Sequence, residues 1–422
     1  MSHNTLQGSN ATGVRPNARL GRGRRFGGLV GMLTAVAMIA SACGGSSSSA
    51  KDEITIGAVV PLSGAFAGSG ADVKAGAEFA IKELNEAGGI KSLDGRKIAL
   101  EVADAGGTPE SATSAARRIV AKKPVAVIGS WYSSLSLAGT QVAEQARIPW
   151  FTASLADDLV SRDFQYTFQL SNRASMLGPE VIRTFNDAVD GDLRVAILID
   201  TNVASKSVKE GLEKALPGGS GGSVVDVQTF APPLSDATPI VSAALDSSAN
   251  AIFIGSTSTT DNVQLLKKLA AAKNKLPVIM AAGAAANPDI LKAAGAEALE
   301  GLIVVMGSLF PGEGAAKLDA KFADFAKRPY MSSEAYSAYV QVRIIAAGLE
   351  RMSKVDSQEL AKAMHTRPIE DDAVLSLLLP KGESISFAAG GARDGVENYI
   401  LQWQNGRPVV LAPAKFSNAK IR

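Results

Sequence analysis

Cysteine and histidine are nearly absent from this chain. Its 422 residues hold one cysteine, Cys43, and two histidines, His3 and His365. A single thiol excludes an intrachain disulfide, and so few soft ligands exclude a His/Cys metal cluster. No cofactor is expected. A long apolar run is missing too, because the most apolar stretch, roughly Leu29 to Ala40, is shorter than a bilayer-spanning helix requires. Positive charge is not in real excess either. The formal net of +2 includes Arg15, Arg19, Arg22, Arg24 and Arg25, and residues 1–42 carry no acid and no lysine. Without that segment, 43 basic groups less five leave 38 against 41 acidic ones, a net of −3, which is no footprint for nucleic acid.

Catalytic and phosphate-binding patterns are equally thin. Gly68-Ser69-Gly70 would need a third glycine at Val73 to make a dinucleotide fingerprint, and no Gly-x-x-x-x-Gly-Lys-Ser/Thr occurs. Gly218-Gly219-Ser220-Gly221-Gly222 matches a nucleophile elbow formally, but it follows a helix and precedes a strand, the reverse of what that motif needs. It reads as a turn. A Ser/His/Asp triad in the body would have to use His365, which sits in a polar helix end and reads as a solvated residue. The adjacent pairs Asp157-Asp158 and Asp371-Asp372 read as solvated turn residues. The expectation is a binder and not an enzyme, with a lipid-anchored hydrolase and a sensor for a signalling receptor as the alternatives.

What is present is organised. Ala40-Ser41-Ala42-Cys43 closes the short apolar run and resembles a bacterial lipobox, although Ala40 stands where a larger aliphatic is usual. The resemblance implies a signal peptide over 1–42, a lipid on Cys43, and a tether over 43–52 that is flexible because it is rich in Gly and Ser. Arg24-Arg25 suggests a twin-arginine signal only weakly, since Phe26 comes one place early. The expected location is the outer face of a bacterial cytoplasmic membrane.

From Glu53 onward, strand and helix alternate. Ile54 to Val60 is a β-branched run bounded by Pro61, and a Gly/Ser loop is expected over Ser63–Gly70. A helix then carries Val73, Ala77, Ala80 and Leu84 on one stripe, with Gly88-Gly89 as its stop. Strands are expected at 97–102, 125–128, 148–151, 195–199, 224–228, 251–254, 278–281 and 302–305. Helices are expected at 109–121, 135–146, 205–215, 239–245 and 262–271. Such alternation predicts parallel sheets covered on both faces, and a polar break near 165–195 divides them into two α/β lobes. After Pro311-Gly312 come helices at 316–326, 333–352 and 357–364. A hairpin of 399–404 and 409–411 turns at Asn405-Gly406.

Three stretches carry a family resemblance: Ile56 to Gly64 with Gly76–Ala80 and Asn85–Ile90, Val127 to Ser134, and Ile148 to Ser154. Tyr336-Ser337-Ala338-Tyr339 adds a weaker one. Together they resemble periplasmic binding proteins of type I, the leucine/isoleucine/valine-binding class of ABC transporter substrate-binding proteins. The resemblance implies two doubly wound parallel-sheet lobes joined by three crossovers, with 53–173 plus 309–385 as lobe one and 174–308 plus 386–415 as lobe two. It implies closure of the lobes on a small-molecule ligand, delivery to ABC transporter permease subunits, and a monomer.

The same resemblance implies the site. Ser133, at the start of a helix, and Ser134 face the ligand, where free N–H groups and the helix dipole suit a carboxylate. Ser133 also reads as a plain N-cap. The loop Ser154-Leu155-Ala156 adds contacts, and Trp131, Tyr132 and Phe66 supply apolar area. The class pairs a ligand ammonium with an acid, but here that position falls at Gly283. Ala156 stands where a hydroxyl is used, and Ser69 and Val203 stand where aromatic walls are used. An ammonium buried without a countercharge is costly, so a larger carboxylate or an amide is expected.

Overall fold

The computed structural model describes residues 53–216, 222–281, 283–307, 316–377, 384–413, 417 and 419–421. The expected signal peptide, Cys43, its tether, Gly218 to Gly221 and Pro311-Gly312 lie outside these residues.

The first sheet is wholly parallel, in the order β2-β1-β3-β4-β5. Its strands are β1 (Ile54–Val60), β2 (Ile98–Asp104), β3 (Ala126–Gly129), β4 (Trp150–Thr152) and β5 (Thr167–Gln169). Between them run α1 (Ala67–Glu86), α2 (Pro109–Val120) and α3 (Ser133–Ala146). Thr108 and Ser111 form a reciprocal capping box that starts α2, with Pro109 pre-set at its first turn. β1 is apolar but for the half-buried Thr55 because both its faces are covered, as a parallel sheet demands.

The expected loop over Ser63–Gly70 is shorter than its glycines suggest, since Ala67 to Gly70 are already helical. Gly70 is there for packing: a Cβ would stand 1.6 Å from the Pro61 carbonyl oxygen. β5 falls in the stretch expected to be a polar break. It is three residues long and becomes a strand only because β4 lies beside it.

The second sheet runs β12-β11-β10-β9-β8-β6-β7. It uses β6 (Arg194–Asp200), β7 (Ser223–Phe230), β8 (Ala251–Gly255), β9 (Val278–Ala281) and β10 (Ile303–Met306), all parallel. Around it pack α4 (Leu177–Asn186), α5 (Val203–Ala215), α6 (Thr238–Asp246), α7 (Thr259–Ala271), α8 (Pro288–Ala294) and the single turn α9 (Ala296–Leu299). The chain then returns to lobe one as α10 (Ala316–Ala326), α11 (Ser333–Leu349), α12 (Ser357–Thr366) and α13 (Asp372–Leu375). It ends in lobe two with β11 (Tyr399–Gln404) and β12 (Arg407–Ala412), an antiparallel hairpin on β10. The φ angles of Asn405 and Gly406, 54° and 76°, are those of the expected tight primed turn.

α11 is buried along nearly its whole length and lies against α1. A Cβ on Gly76 would meet the Ala335 carbonyl oxygen at 2.0 Å, so the two backbones touch. The chain passes between lobes three times, and the passages are tied to one another. Asn172 N donates to Gly307 O at 2.7 Å, Arg393 N to Gln169 O at 2.9 Å, and Asn172 Nδ2 to Asn398 Oδ1 at 2.9 Å. Phe387 packs edge-on against Phe151 and Phe168 inside the lobe-one core. The third passage therefore falls after Arg393, later than the expected change of lobe at 386.

Candidate functional site

Ligands of open α/β sheets lie beyond the carboxyl ends of the strands. Here those ends face each other across the two lobes. From lobe one come the turn after β3 (Ser130–Tyr132), the segment after β4 (Ala153–Ala156) and the segment after β1 (Pro61–Phe66). From lobe two come the starts of α5 and α7 and the 3-10 turn Gly283–Ala286.

The lobe-one loops are held by a buried hydroxyl network around one carbonyl. Ser130 O accepts from Ser136 Oγ (2.7 Å), Thr152 Oγ1 (2.8 Å) and Ser154 Oγ (2.7 Å). The Ser154 hydroxyl is thus spent inside the lobe, and its carbonyl accepts from Gln169 Nε2 and Ser171 Oγ. It positions the loop and offers no free hydroxyl to a ligand. Tyr132, not Ser133, occupies the N-cap of α3, and its side chain makes no capping bond. Ser133 is the first helical residue, and its hydroxyl gathers the N–H groups of Leu155 (3.3 Å) and Ala156 (3.2 Å). Two adjacent donors of the segment after β4 therefore converge on an acceptor at this helix start.

Ser134 reaches the other lobe, where its Oγ donates to Asn202 Oδ1 at 3.1 Å. Asn202 is fixed in turn by Asp200, the last residue of β6. That carboxylate accepts from Asn202 N (3.0 Å), Ser205 Oγ (2.5 Å), Thr257 N (2.9 Å) and Thr257 Oγ1 (2.9 Å). Burial nevertheless raises the Asp200 carboxyl above its ordinary value. Phe66 packs on Tyr132 with ring centres 4.2 Å apart and meets Trp131 edge-on at 6.5 Å. The indole Nε1 of Trp131 is buried without a partner. Burial, and then the charges of Asp200 and Asp261, push the Tyr132 hydroxyl up, which sets it facing the lobe-two acids.

Asp261, in the first turn of α7, accepts from Leu234 N through Oδ1 at 3.0 Å. Its Oδ2, the Asn262 Oδ1 and the Thr259 Oγ1 have no partner. Ser69, Ala65 and Gly68 of lobe one line a cavity of about 280 Å³ together with Thr259, Thr260 and Asp289 of lobe two. Val203 opens α5 and Gly283 opens its 3-10 turn, both half-buried, and Gly283 brings no side chain.

A second polar seam joins the lobes where α11 begins. Arg328 binds Asp72 Oδ1 at 2.7 Å and Asp289 Oδ1 at 2.6 Å, and Asn287 Nδ2 donates to Asp72 Oδ2 at 3.0 Å. Tyr330 Oη donates to Ala286 O at 3.0 Å. Within this seam Glu334 is only 2% exposed, and neither carboxylate oxygen makes a hydrogen bond of ordinary geometry, although Asn287, Ser332 and its own N–H stand near enough to oppose the effect of burial. Burial, followed by the neighbouring charge of Asp72, pushes it from the ordinary 4.5 up to about 7. Burial also raises Asp72, against the pull of Arg328.

Sequence reasoning missed Asp200, Asp261 and Glu334. An acid ending the apolar run Val195–Ile199 is a usable signal for Asp200. Glu334 looks like an ordinary first-turn helix acid, and only tertiary packing buries it. Two expectations need correction. His365 is half-buried, with Nε2 2.9 Å from Gln165 O and its ring 4.8 Å from that of Phe168, because α12 docks there. Asp157 is no solvated turn residue, since its carboxylate binds the N–H and hydroxyl of Ser175.

Comparison with known proteins agrees with this architecture. A sequence model of the periplasmic binding protein family matches residues 53–407. Leu/Ile/Val-binding protein homolog 3 of Brucella melitensis is 28% identical over 387 residues, 90% of this chain and 99% of that one. The Leu/Ile/Val-binding protein BraC3 of Rhizobium johnstonii is 26% identical over 368 residues, 85% and 94% of the two chains. Among solved structures, an R. palustris solute-binding protein in complex with benzoate superposes with a TM-score of 0.72 at 19% identity, covering 85% of this chain and 96% of that one. The branched-chain amino acid transporter protein LivJ of Streptococcus pneumoniae, in complex with isoleucine, gives 0.71 at 21%, covering 85% and 98%. With the family matched along nearly all of the described body and the two-lobed fold shared, this chain belongs to the periplasmic binding protein family.

Proposed function

We propose that this protein is the lipid-anchored, extracytoplasmic receptor of an ABC importer. It captures a small carboxylate-bearing solute between its lobes and presents the closed form to the permease subunits. The anchor is the lipid on Cys43, and the protein works as a monomer with lobes at 53–173 plus 309–393 and at 174–308 plus 394–415, the last change of lobe falling later than the expected 386.

One observation carries this reading. The N–H groups of Leu155 and Ala156 meet at Ser133, beside Ser134, which is already bonded to Asn202 of the opposite lobe. A carboxylate there takes over from the Ser133 hydroxyl as acceptor for the Leu155 and Ala156 N–H groups, beside the start of α3, and bridges to lobe two, so its binding favours the closed state. Trp131, Tyr132 and Phe66 cover its apolar body, Ser69, Val203 and Gly283 leave room for it, and Ser154 braces the loop that Ala156 ends. Relatives co-crystallised with benzoate, isoleucine and leucine fit a ligand of that size.

The test is isothermal titration with a panel of amino acids and of aliphatic and aromatic acids. Replacing Ser133 by Ala and Trp131 by Ala together is expected to weaken the tightest binder at least tenfold, about 1.4 kcal/mol. An unchanged Kd removes this site.

A further inference from the structure

Leu155 belongs to both lobes. Its N–H, like that of Ala156, reaches the Ser133 hydroxyl of lobe one. Its side chain goes the other way: only 9% exposed, it packs in the lobe-two core with Ala174 and Leu177. A Cβ on Gly307, in the second passage between lobes, would stand 3.2 Å from Leu155 Cδ2 and 3.3 Å from Leu177 Cδ2, so the leucine is wedged where α4 meets that passage. The Leu155 carbonyl follows its side chain and accepts from Ala174 N at 2.6 Å. A loop braced for its own lobe alone would send its one large apolar side chain into the lobe-one core. This one enters the opposite core.

Peptide planarity makes these anchors an aiming device, because the C=O and N–H of a trans peptide point opposite ways. The Leu155 carbonyl, drawn to Ala174, turns the Ala156 N–H toward Ser133. The Ser154 carbonyl does the same for the Leu155 N–H, since Gln169 Nε2 (2.8 Å) and Ser171 Oγ (2.7 Å) hold it from behind. All three donors lie on the first passage between lobes, residues 169–174. Gln169 is clamped in turn by the third passage: its N donates to Gly391 O at 2.8 Å, and its O accepts from Arg393 N at 2.9 Å.

We propose that Leu155 is a positioning residue that couples lobe closure to the anion-binding amides. Its side chain and carbonyl ride with lobe two, its N–H serves the site on lobe one, and Gln169 fixes the peptide before it. When the lobes part, either the seat in lobe two or the contact with Ser133 has to give. Both amides are therefore aimed only with the lobes in contact, as they are where Ser134 meets Asn202. The inference rests on the reading that these amides hold the carboxylate of the solute.

The test uses the full-length chain, with L-leucine, 4-methylpentanoate and benzoate as probes, in titration calorimetry and in residue-resolved amide exchange. L155A keeps the main-chain N–H and empties the seat. It is expected to weaken the tightest probe at least fivefold and, in the free protein, to speed exchange of the Ala156 and Ala174 N–H groups at least tenfold. L155M refills the seat and brings both readouts back to within twofold of the wild type. Q169M loses the donor behind Ser154 and is expected to weaken binding at least threefold. N250A removes two bonds at the amino ends of β6 and β8, far from the cleft, and lowers the melting point with Kd unchanged, which separates loss of aim from loss of stability.

An L155A protein that binds like the wild type, or a loss that L155M does not restore, overturns the inference and leaves solute capture standing. If exchange responds as expected while S133A combined with W131A leaves Kd unchanged, the proposed carboxylate site fails and the coupling of this loop to lobe two stands. If no probe binds, exchange decides. Faster exchange at Ala156 and Ala174 in L155A, restored in L155M, supports the coupling, and exchange no faster than in the wild type overturns it.

Discussion

Glu334 makes a sharp prediction about stability. Its carboxyl moves from 4.5 when exposed to about 7 in the fold, with burial as the main cause and Asp72 next. A carboxyl whose value is raised by folding holds its proton longer in the native state than in the unfolded chain. Between pH 4.5 and 7 the native state therefore binds more protons, and stability falls as pH rises through that window. Each pH unit is worth about 1.4 kcal/mol, so the full loss is about 3 kcal/mol. The groups facing it are Asp72 on α1, Asn287 at the start of α8, Ser332 at the N-cap of α11 and Tyr330 just before it, and Asp72 in turn is paired with Arg328. Asp72 titrates in the same seam, so the measured midpoint belongs to the pair. E334Q has the same shape and no charge to bury. Urea unfolding followed by circular dichroism at pH 4.5 and pH 8 is the assay. The two proteins should be alike at the acid end, and E334Q should be more stable by about 3 kcal/mol at pH 8. Parallel pH profiles, or a less stable E334Q at pH 8, would refute the account of the seam.

Three other perturbations follow from the same geometry. Ser134→Ala removes the bond to Asn202 and should cost about 1 kcal/mol of closure, read as a Kd raised roughly fivefold in titration and a larger radius of gyration for the ligand-bound protein. Asp200→Ala strands four donors around one buried site and should destabilise the fold by roughly 3 kcal/mol in urea, with Asp200→Asn recovering part of the loss. Gly76→Ala forces α1 and α11 apart and should cost about 3 kcal/mol, seen as a lower urea midpoint with an unchanged slope.

The body's architecture was legible wherever one physical signal acted alone. Buried parallel strands are continuous apolar runs, and Val278–Ala281 was readable to the residue for that reason. The hairpin at Asn405-Gly406 was readable because few dipeptides tolerate two positive φ angles. Local pattern failed where a neighbour decides the outcome. Thr167–Gln169 is polar enough to look like a break and pairs only because β4 and residues 391–393 flank it. Gly70 looks like a loop residue and is a packing residue of a helix.

The site divides along the same line. Ser133 announces itself as the start of a helix after a strand, whereas the approach of Leu155 and Ala156 to it was suggested only by the family resemblance. The spending of the Ser154 hydroxyl on Ser130, the docking of His365 on Phe168 and the burial of Glu334 depend on distant segments of chain. No local window contains them.

The contact between Gly76 and Ala335 has a consequence for biogenesis. The two residues stand 259 positions apart, yet each helix is the other's cover. At translation speeds of about 5 to 20 residues per second, the apolar flank of α1 waits roughly 10 to 50 s for α11 to be synthesised. During that interval the nascent chain shows Ala77 and Ala80 to its surroundings, and the second sheet still lacks the strands that place Trp403 in its core. Neither core can close on its own schedule, because the first needs the chain beyond Ala335 and the second needs Trp403.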